Sequence, residues 1–169
     1  MSEYSIDELI IIAIGGNLPG ASGSVSDNLE SALNHFPSSK LKIVKRSRWW
    51  RSKAWPDPTA PEYINGVVIV ETALGPFEVL DQLAAVEALF GRRRTEVNAP
   101  RCLDLDLVAH GRTRLETDVL ILPHPRANDR VFVMGPLAEI EPDWRCPNVG
   151  LSAAKLVSLA SVGRDAHPV

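Results

Sequence analysis

Cysteine is scarce in this sequence: Cys102 and Cys146 are the two in 169 residues, and they form no Cys-x-x-Cys pair. That usage argues against a disulfide framework or a thiolate zinc site and leaves two free thiols as the expectation. No apolar stretch approaches the roughly 20 residues of a membrane span. The opening "MSEYSIDELIIIAIGG" has acidic residues where a secretory signal carries basic ones, so the expectation is a cytoplasmic protein without membrane contact. A formal charge of -3 argues against a general nucleic-acid or membrane-surface binder. Internal repeats and low-complexity tracts are absent. Conventional nucleotide loops are missing too: "GGNLPG" is not followed by Lys-Ser or Lys-Thr, so it is neither a Walker loop nor a dinucleotide fingerprint, and its glycines read as a tight turn. A nucleotide bound by this chain would have to be held by arginines and a metal ion.

What is present fits one soluble domain spanning residues 1–169, with 45% hydrophobic and 23% charged residues. "LIIIAIG" reads as a buried strand. Val25, Leu29, Ala32, Leu33 and Phe36 recur at helical spacing behind a Ser24-x-x-Asp27 capping signature, predicting a helix from Ser24 to Phe36. "LKIVKRSRWWRS" and "YINGVVIVETAL" read as two further strands. Pro76 opens a second helix with Val79, Leu83, Val86 and Phe90 on one face, closed by Gly91. After an arginine-rich loop comes another strand, "APRCLDLDLVAHG". The order βαββαβ predicts an α+β, ferredoxin-like antiparallel sheet with both helices on one face, plus C-terminal additions. Those additions include short helices around Asp129 to Ile140 and in "LSAAKLVSLA". The other face of the sheet needs a cover or a use. The long connections "SKAWPDPTAPE" and "RRRTEVNAP" suit mobile covers.

The last strand carries the chemistry. Strand alternation places Leu103, Leu105 and Leu107 on one face and Asp104 and Asp106 on the other. Two carboxylates on neighbouring same-side positions repel unless positive charge lies nearby. A half-solvated strand with its acidic side in water is the plain alternative. Arg92, Arg93, Arg94 and Arg101 crowd the preceding segment, however, giving a mildly acidic chain one cationic patch. Paired carboxylates suit Mg²⁺, a hard ion held by one or two carboxylates together with substrate phosphates, and arginines suit the phosphate oxygens.

Five segments, "IAIGGNL", "YINGVV", "GRRR", "APRCLDLDLV" and "LPHPRANDRVF", resemble in order the segments of the 6-hydroxymethyl-7,8-dihydropterin pyrophosphokinase family. The resemblance covers roughly residues 10 to 140 and implies the ferredoxin-like fold. It also implies transfer of diphosphate from ATP to the pterin's hydroxymethyl oxygen, releasing AMP, in folate biosynthesis. By the same resemblance Asp104 and Asp106 hold two Mg²⁺ ions. Arg92 and Arg101 bind phosphates and act in catalysis, and Glu87, Leu107, His124 and Arg130 contact ATP. The pterin is held by Ser52, Tyr63, Asn65 and Phe132, with Tyr63 and Phe132 sandwiching the ring and Trp55 closing the slot. Asn65 offers both a donor and an acceptor to the pterin's polar edge. The substrates are small molecules, and a monomer is the expectation.

The sequence departs from the family pattern at Asn98, where many members have Trp, at Val119, where an arginine is common, and at Pro125, where some have Tyr. Individual residues have plain alternatives: Tyr63 and Phe132 as core aromatics, Asn65-Gly66 as a bulge, His124 as a turn residue, Glu87 as a solvent-facing helix residue. Two rivals to the whole reading are another Mg²⁺-dependent nucleotidyltransferase, which has no reason to repeat the Tyr63-x-Asn65 and His124-Pro125 segments, and a noncatalytic ferredoxin-like module, which leaves the arginine-aspartate cluster unexplained.

Overall fold

The computed structural model describes residues 5–54, 56–91 and 101–169. Strand β1 (Ile10–Gly16) is buried almost throughout, as its isoleucine run requires. Helix α1 (Val25–Leu33) starts at Ser24, whose Oγ accepts from the Asp27 N–H at 3.1 Å while Asp27 Oδ2 accepts from the Ser24 N–H at 3.3 Å. This reciprocal cap satisfies two donors that the helix leaves unpaired at its first turn.

The expected second strand is interrupted. β2 (Lys42–Arg46) and β3 (Trp50–Ser52) both pair with β4 (Tyr63–Glu71), and between them Ser47 Oγ accepts from the Val67 N–H at 3.0 Å. Helix α2 (Pro76–Leu89) begins with proline at its first position, and Glu78 accepts from the Gly75 N–H at 3.1 Å. Gly91, just beyond it, has φ of 76°, the left-handed conformation that suits glycine after a helix end. β5 (Asp104–His110) follows, then the hairpin β6 (Leu115–Glu116) and β7 (Ile121–Leu122), helices α3 (Val131–Ile140) and α4 (Ala153–Leu159), and the short β8 (His167–Pro168).

The main sheet runs β5-β1-β4-β3-β8, with β2 also on β4, and its pairings are antiparallel. The α+β, ferredoxin-like plan expected from the element order is therefore present. One face carries Ile10, Ile12, Ile14, Val68, Leu105 and Leu107 against Leu29 and Leu33 of α1 and Val79, Leu83 and Val86 of α2. The opposite face has its own cover. Ile11, Val67, Ile69 and Ala109 pack against Val133, Met134 and Leu137 of α3 and Ala153 and Leu156 of α4. The C-terminal additions thus make a third layer.

That cover stops short of one end. A Cβ on Gly135 would come within 2.5 Å of Trp50, so α3 closes tightly on β3, and Trp50 Nε1 donates to Glu139 Oε1 at 3.1 Å. Beyond the N-terminus of α3 the face presents the polar ends of β5, β1 and β4. Among the described residues no helix is long and apolar enough to cross a membrane, and both cysteines are free. Leu83 is 1% exposed at the centre of the α1/α2 layer. Leu83→Ala should lower the unfolding free energy by about 2–5 kcal/mol, read from urea denaturation.

Candidate active site

The strand register brings the sequence-predicted residues together. Gly15 of β1 lies between Asp104 of β5 and Asn65 of β4, and Asn65 in turn pairs with Trp50 of β3. One row along, Ala13 lies between Asp106 and Val67. Tyr63 and Ser52 form the next pair outward. Because side chains two apart share a face, Asp104, Asp106, Asn65, Tyr63 and Ser52 all belong to the face that α3 packs on, with Ser52 buried and the other four half-buried.

The glycines of "GGNLPG" do not form the expected tight turn. Gly15 and Gly16 are the last residues of β1, and each admits a close neighbour. A Cβ at Gly15 would lie 2.1 Å from Asn65 Oδ1, so the missing side chain is the space in which the Asn65 amide rests. A Cβ at Gly16 would lie 2.5 Å from the Cys102 carbonyl oxygen. The segment feeding the aspartates therefore sits directly on the end of β1.

Asn17 is a residue that the sequence pattern did not single out. It is 2% exposed, its Oδ1 accepts from the Arg101 N–H at 2.9 Å, and its Nδ2 donates to the Pro61 carbonyl at 3.1 Å. The backbone N–H groups of Asn17 and Leu18 both donate to the Arg101 carbonyl. Asn28 adds a bond from Nδ2 to the Cys102 carbonyl at 3.0 Å, while its buried Oδ1 has no hydrogen-bond partner among the described residues. The Asn17 side chain thereby bridges the Arg101 N–H and the carbonyl of Pro61, two residues before Tyr63. The available signal was a buried-strand end followed by asparagine, which is too common to be diagnostic.

Charge compensation is local. Arg101 Nη1 lies 3.4 Å from Asp104 Oδ2. Burial holds the Arg130 guanidinium, just before α3, below its usual pKa, with Arg126 and Arg101 acting the same way and Asp106 and Asp104 opposing. Burial pushes the Tyr63 phenol up, with Asp104 adding to the shift and Arg101 opposing it, so the hydroxyl keeps its proton at neutral pH. His124 is pushed down to about 4, chiefly by burial and next by Arg130. Its Nδ1 accepts from the Arg126 N–H at 3.2 Å, which assigns the ring hydrogen to Nε2 in the neutral form. His124 is half-buried and opens a turn, its carbonyl accepting from the Ala127 N–H at 3.3 Å. Arg130 also places its guanidinium carbon 5.6 Å from the centroid of the Phe132 ring.

Two other expected contacts are placed differently. Leu107 points its side chain into the α1/α2 layer at 3% exposure, because alternation turns it away from Asp106. Only its backbone can face a ligand at the strand edge. Glu87 is 4% exposed, not solvent-facing, and accepts from the Leu105 N–H at 3.0 Å. Leu105 stands between the aspartates on the outer strand of the sheet, so Glu87 occupies an edge donor that would otherwise need water. Arg92 and Trp55 lie outside the described residues, as does the departure at Asn98.

The fold and site define an α+β protein with a carboxylate and arginine cluster beside half-buried Tyr63 and Asn65. Residues 11–142 match the family model described as 7,8-dihydro-6-hydroxymethylpterin-pyrophosphokinase (HPPK). Over 148 residues the chain is 41% identical to the 2-amino-4-hydroxy-6-hydroxymethyldihydropteridine pyrophosphokinase of Synechocystis sp., covering 87% of this chain and 73% of that one. It is 34% identical to the enzyme of the same name from Haemophilus influenzae, covering 81% and 84%. The chain belongs to the HPPK family. In fold it is similar to the wild-type HPPK-DHPS of Plasmodium falciparum, with a TM-score of 0.66 at 13% identity, covering 89% of this chain and 43% of that one.

Two outcomes test the geometry. Gly15→Ala should displace the Asn65 amide and raise the KM for a pterin substrate at least tenfold while leaving circular dichroism unchanged; an unaltered KM would reject the packing role of Gly15. The unfolded chain takes up the His124 proton near pH 6.5, the folded chain only near 4, so protonation favours unfolding as pH falls through that window. His124→Gln should therefore lose less thermal stability than the parent between pH 6.5 and 4, measured by Tm at each pH.

Proposed function

We propose that this chain transfers diphosphate from ATP to the hydroxymethyl oxygen of 6-hydroxymethyl-7,8-dihydropterin and releases AMP, as one unit across residues 1–169 acting in folate biosynthesis. The observation that carries the reading is the placement of Asp104, Asp106, Asn65 and Tyr63 on a single sheet face, beside Arg101, Arg130 and His124.

The donor set suits magnesium. Among the described residues no group of three or more His, Cys, Asp or Glu could hold a metal ion, which disfavours a closed protein cage. Two carboxylates fit an ion that keeps waters and shares itself with phosphates. Asp104 and Asp106 would hold Mg²⁺, two ions in our reading, and the metal supplies charge neutralisation at the triphosphate. Every other part of the work falls to the chain.

Arg101 would exchange its Asp104 partner for phosphate oxygens as ATP arrives, and Arg130, which feels the charge of both aspartates, would add a second cation. Arg92 is assigned to the same task. His124 keeps an uncharged Nε2–H to donate, adding a hydrogen bond without a proton to lose at neutral pH. Asn65 reads the polar edge of the pterin, with Ser52 beside Tyr63 at the slot's outer end. Tyr63 and Phe132 supply flat surfaces for the ring, and Trp55 closes over it. Fixed cations and positioned reactants lower the barrier to attack at the β-phosphorus, where charge spreads over the phosphoryl oxygens.

Incubation with ATP, Mg²⁺ and the reduced pterin alcohol should release AMP only when the pterin is present. ATP consumption without pterin would favour a different nucleotidyltransferase, and no turnover would favour a binding module. Asp104→Ala and Asp106→Ala should each lower kcat by 100-fold or more with little loss of folded protein, since removing either charge relieves repulsion. Parent-like activity in either variant would remove the metal assignment.

A further inference from the structure

The segment Ser161–Val169 lies beyond the residues matched by the family model and is bound at both ends to the walls assigned to the pterin slot. At its start, Asp129 accepts from the Ser161 N–H and Oγ at 2.8 Å. The backbone is then stitched to the entry of α3: Val162 N–H donates to the Asp129 carbonyl, and Val131 N–H to the Val162 carbonyl, both at 2.9 Å. Gly163 follows, with φ of 74°. A Cβ there would lie 2.5 Å from Cδ1 and 3.0 Å from Cε1 of Phe132, so the backbone of the segment is itself a wall against that ring.

The far end reaches β3, the strand that pairs with the Tyr63 end of β4. Asp165 Oδ2 accepts from the Lys53 N–H at 2.7 Å. β8 pairs His167 with Arg51 and Pro168 with Trp50, and Val169 N–H donates to the Trp49 carbonyl at 2.9 Å. Lys53 is the residue after Ser52, whose strand partner is Tyr63. One strap of nine residues thus touches Phe132 through Gly163 and the Ser52-Lys53 backbone through Asp165, two elements that are remote in sequence.

We infer that this strap sets the width of the pterin slot, with Gly163 and Asp165 as positioning residues that act through Phe132 and Ser52 and touch no substrate themselves. The inference rests on the pterin reading above. A slot that accepts a flat ring must hold its walls at a fixed separation, and an error of a fraction of an ångström there weakens binding without altering the phosphate side. Asp165 is exposed, so its contribution to global stability is small, yet its carboxylate is a charged acceptor for a backbone donor at the start of the proline-rich connection.

The test uses the full chain and steady-state kinetics of AMP release. Asp165→Ala should raise the KM for the reduced pterin alcohol about tenfold, the loss expected for one charge-assisted hydrogen bond, with kcat and the KM for ATP within twofold of the parent. Asp165→Asn, which keeps an acceptor oxygen, should recover most of that loss. Gly163→Ala should raise the pterin KM by a similar factor without the recovery. A pterin KM unchanged in Asp165→Ala and Gly163→Ala would overturn the strap, as would a fall in kcat that tracks lost thermal stability. Should the parent itself release AMP without pterin dependence or not at all, the functional reading fails first and the strap falls with it.

Discussion

Repulsion between Asp104 and Asp106 is the constraint around which the open end of this sheet is organised. Two carboxylates on adjacent same-side positions of an edge strand would weaken the strand unless opposite charge were close. Arg101 answers from the segment leading into β5 and Arg130 from the entry to α3. Neither arginine belongs to the strand, so the acidic pair ties three separate parts of the chain to one point. The same field acts on neighbours: positive Arg130 helps keep His124 neutral, and Asp104 reinforces the protonated state of Tyr63. Acidic and basic side chains at this end of the sheet therefore offset one another in part.

Holding that balance in place is a matter of backbone. Glu87 secures the Leu105 N–H on the outer edge of β5, and Asn17 ties Arg101 to the Pro61 carbonyl beyond the end of β1. Gly15 and Gly16 then let Asn65 and the Cys102 carbonyl approach β1 more closely than any side chain would permit. The two covering layers divide their tasks. α1 and α2 bury one face, while α3 and α4 bury the apolar part of the other, leaving Tyr63, Asn65, Asp104 and Asp106 half-buried.

Much of this was legible without coordinates. The Ser24 cap, the apolar faces of α1 and α2, and the alternation in "RCLDLDLV" report local geometry, and local geometry is encoded by neighbours in sequence. Asp104 and Asp106 could be named from strand alternation beside a run of arginines, whereas Tyr63, Asn65, His124 and Arg130 could be named only because the segments that carry them resemble those of the family. Glu87 was misjudged as open to solvent in one of its readings, since a glutamate on a helix carries no sign of the strand edge it meets. Leu107 turns its side chain to the core, so the nucleotide contact expected of it falls to its backbone at the strand edge. The break between β2 and β3 also escaped, because Ser47 replaces a ladder bond through a contact with Val67, 20 residues away.

By itself the sequence determined the element order, the two amphipathic helices and the presence of an acidic pair beside arginines, since each depends on periodicity or on groups close along the chain. Only the tertiary structure decided that Gly15 makes room for Asn65, that Asn17 joins Arg101 to Pro61, and that residues 161–169 return to β3. Those relations join segments whose separation is bridged by strand register and packing, and register is a property of the whole sheet that no single stretch of residues carries.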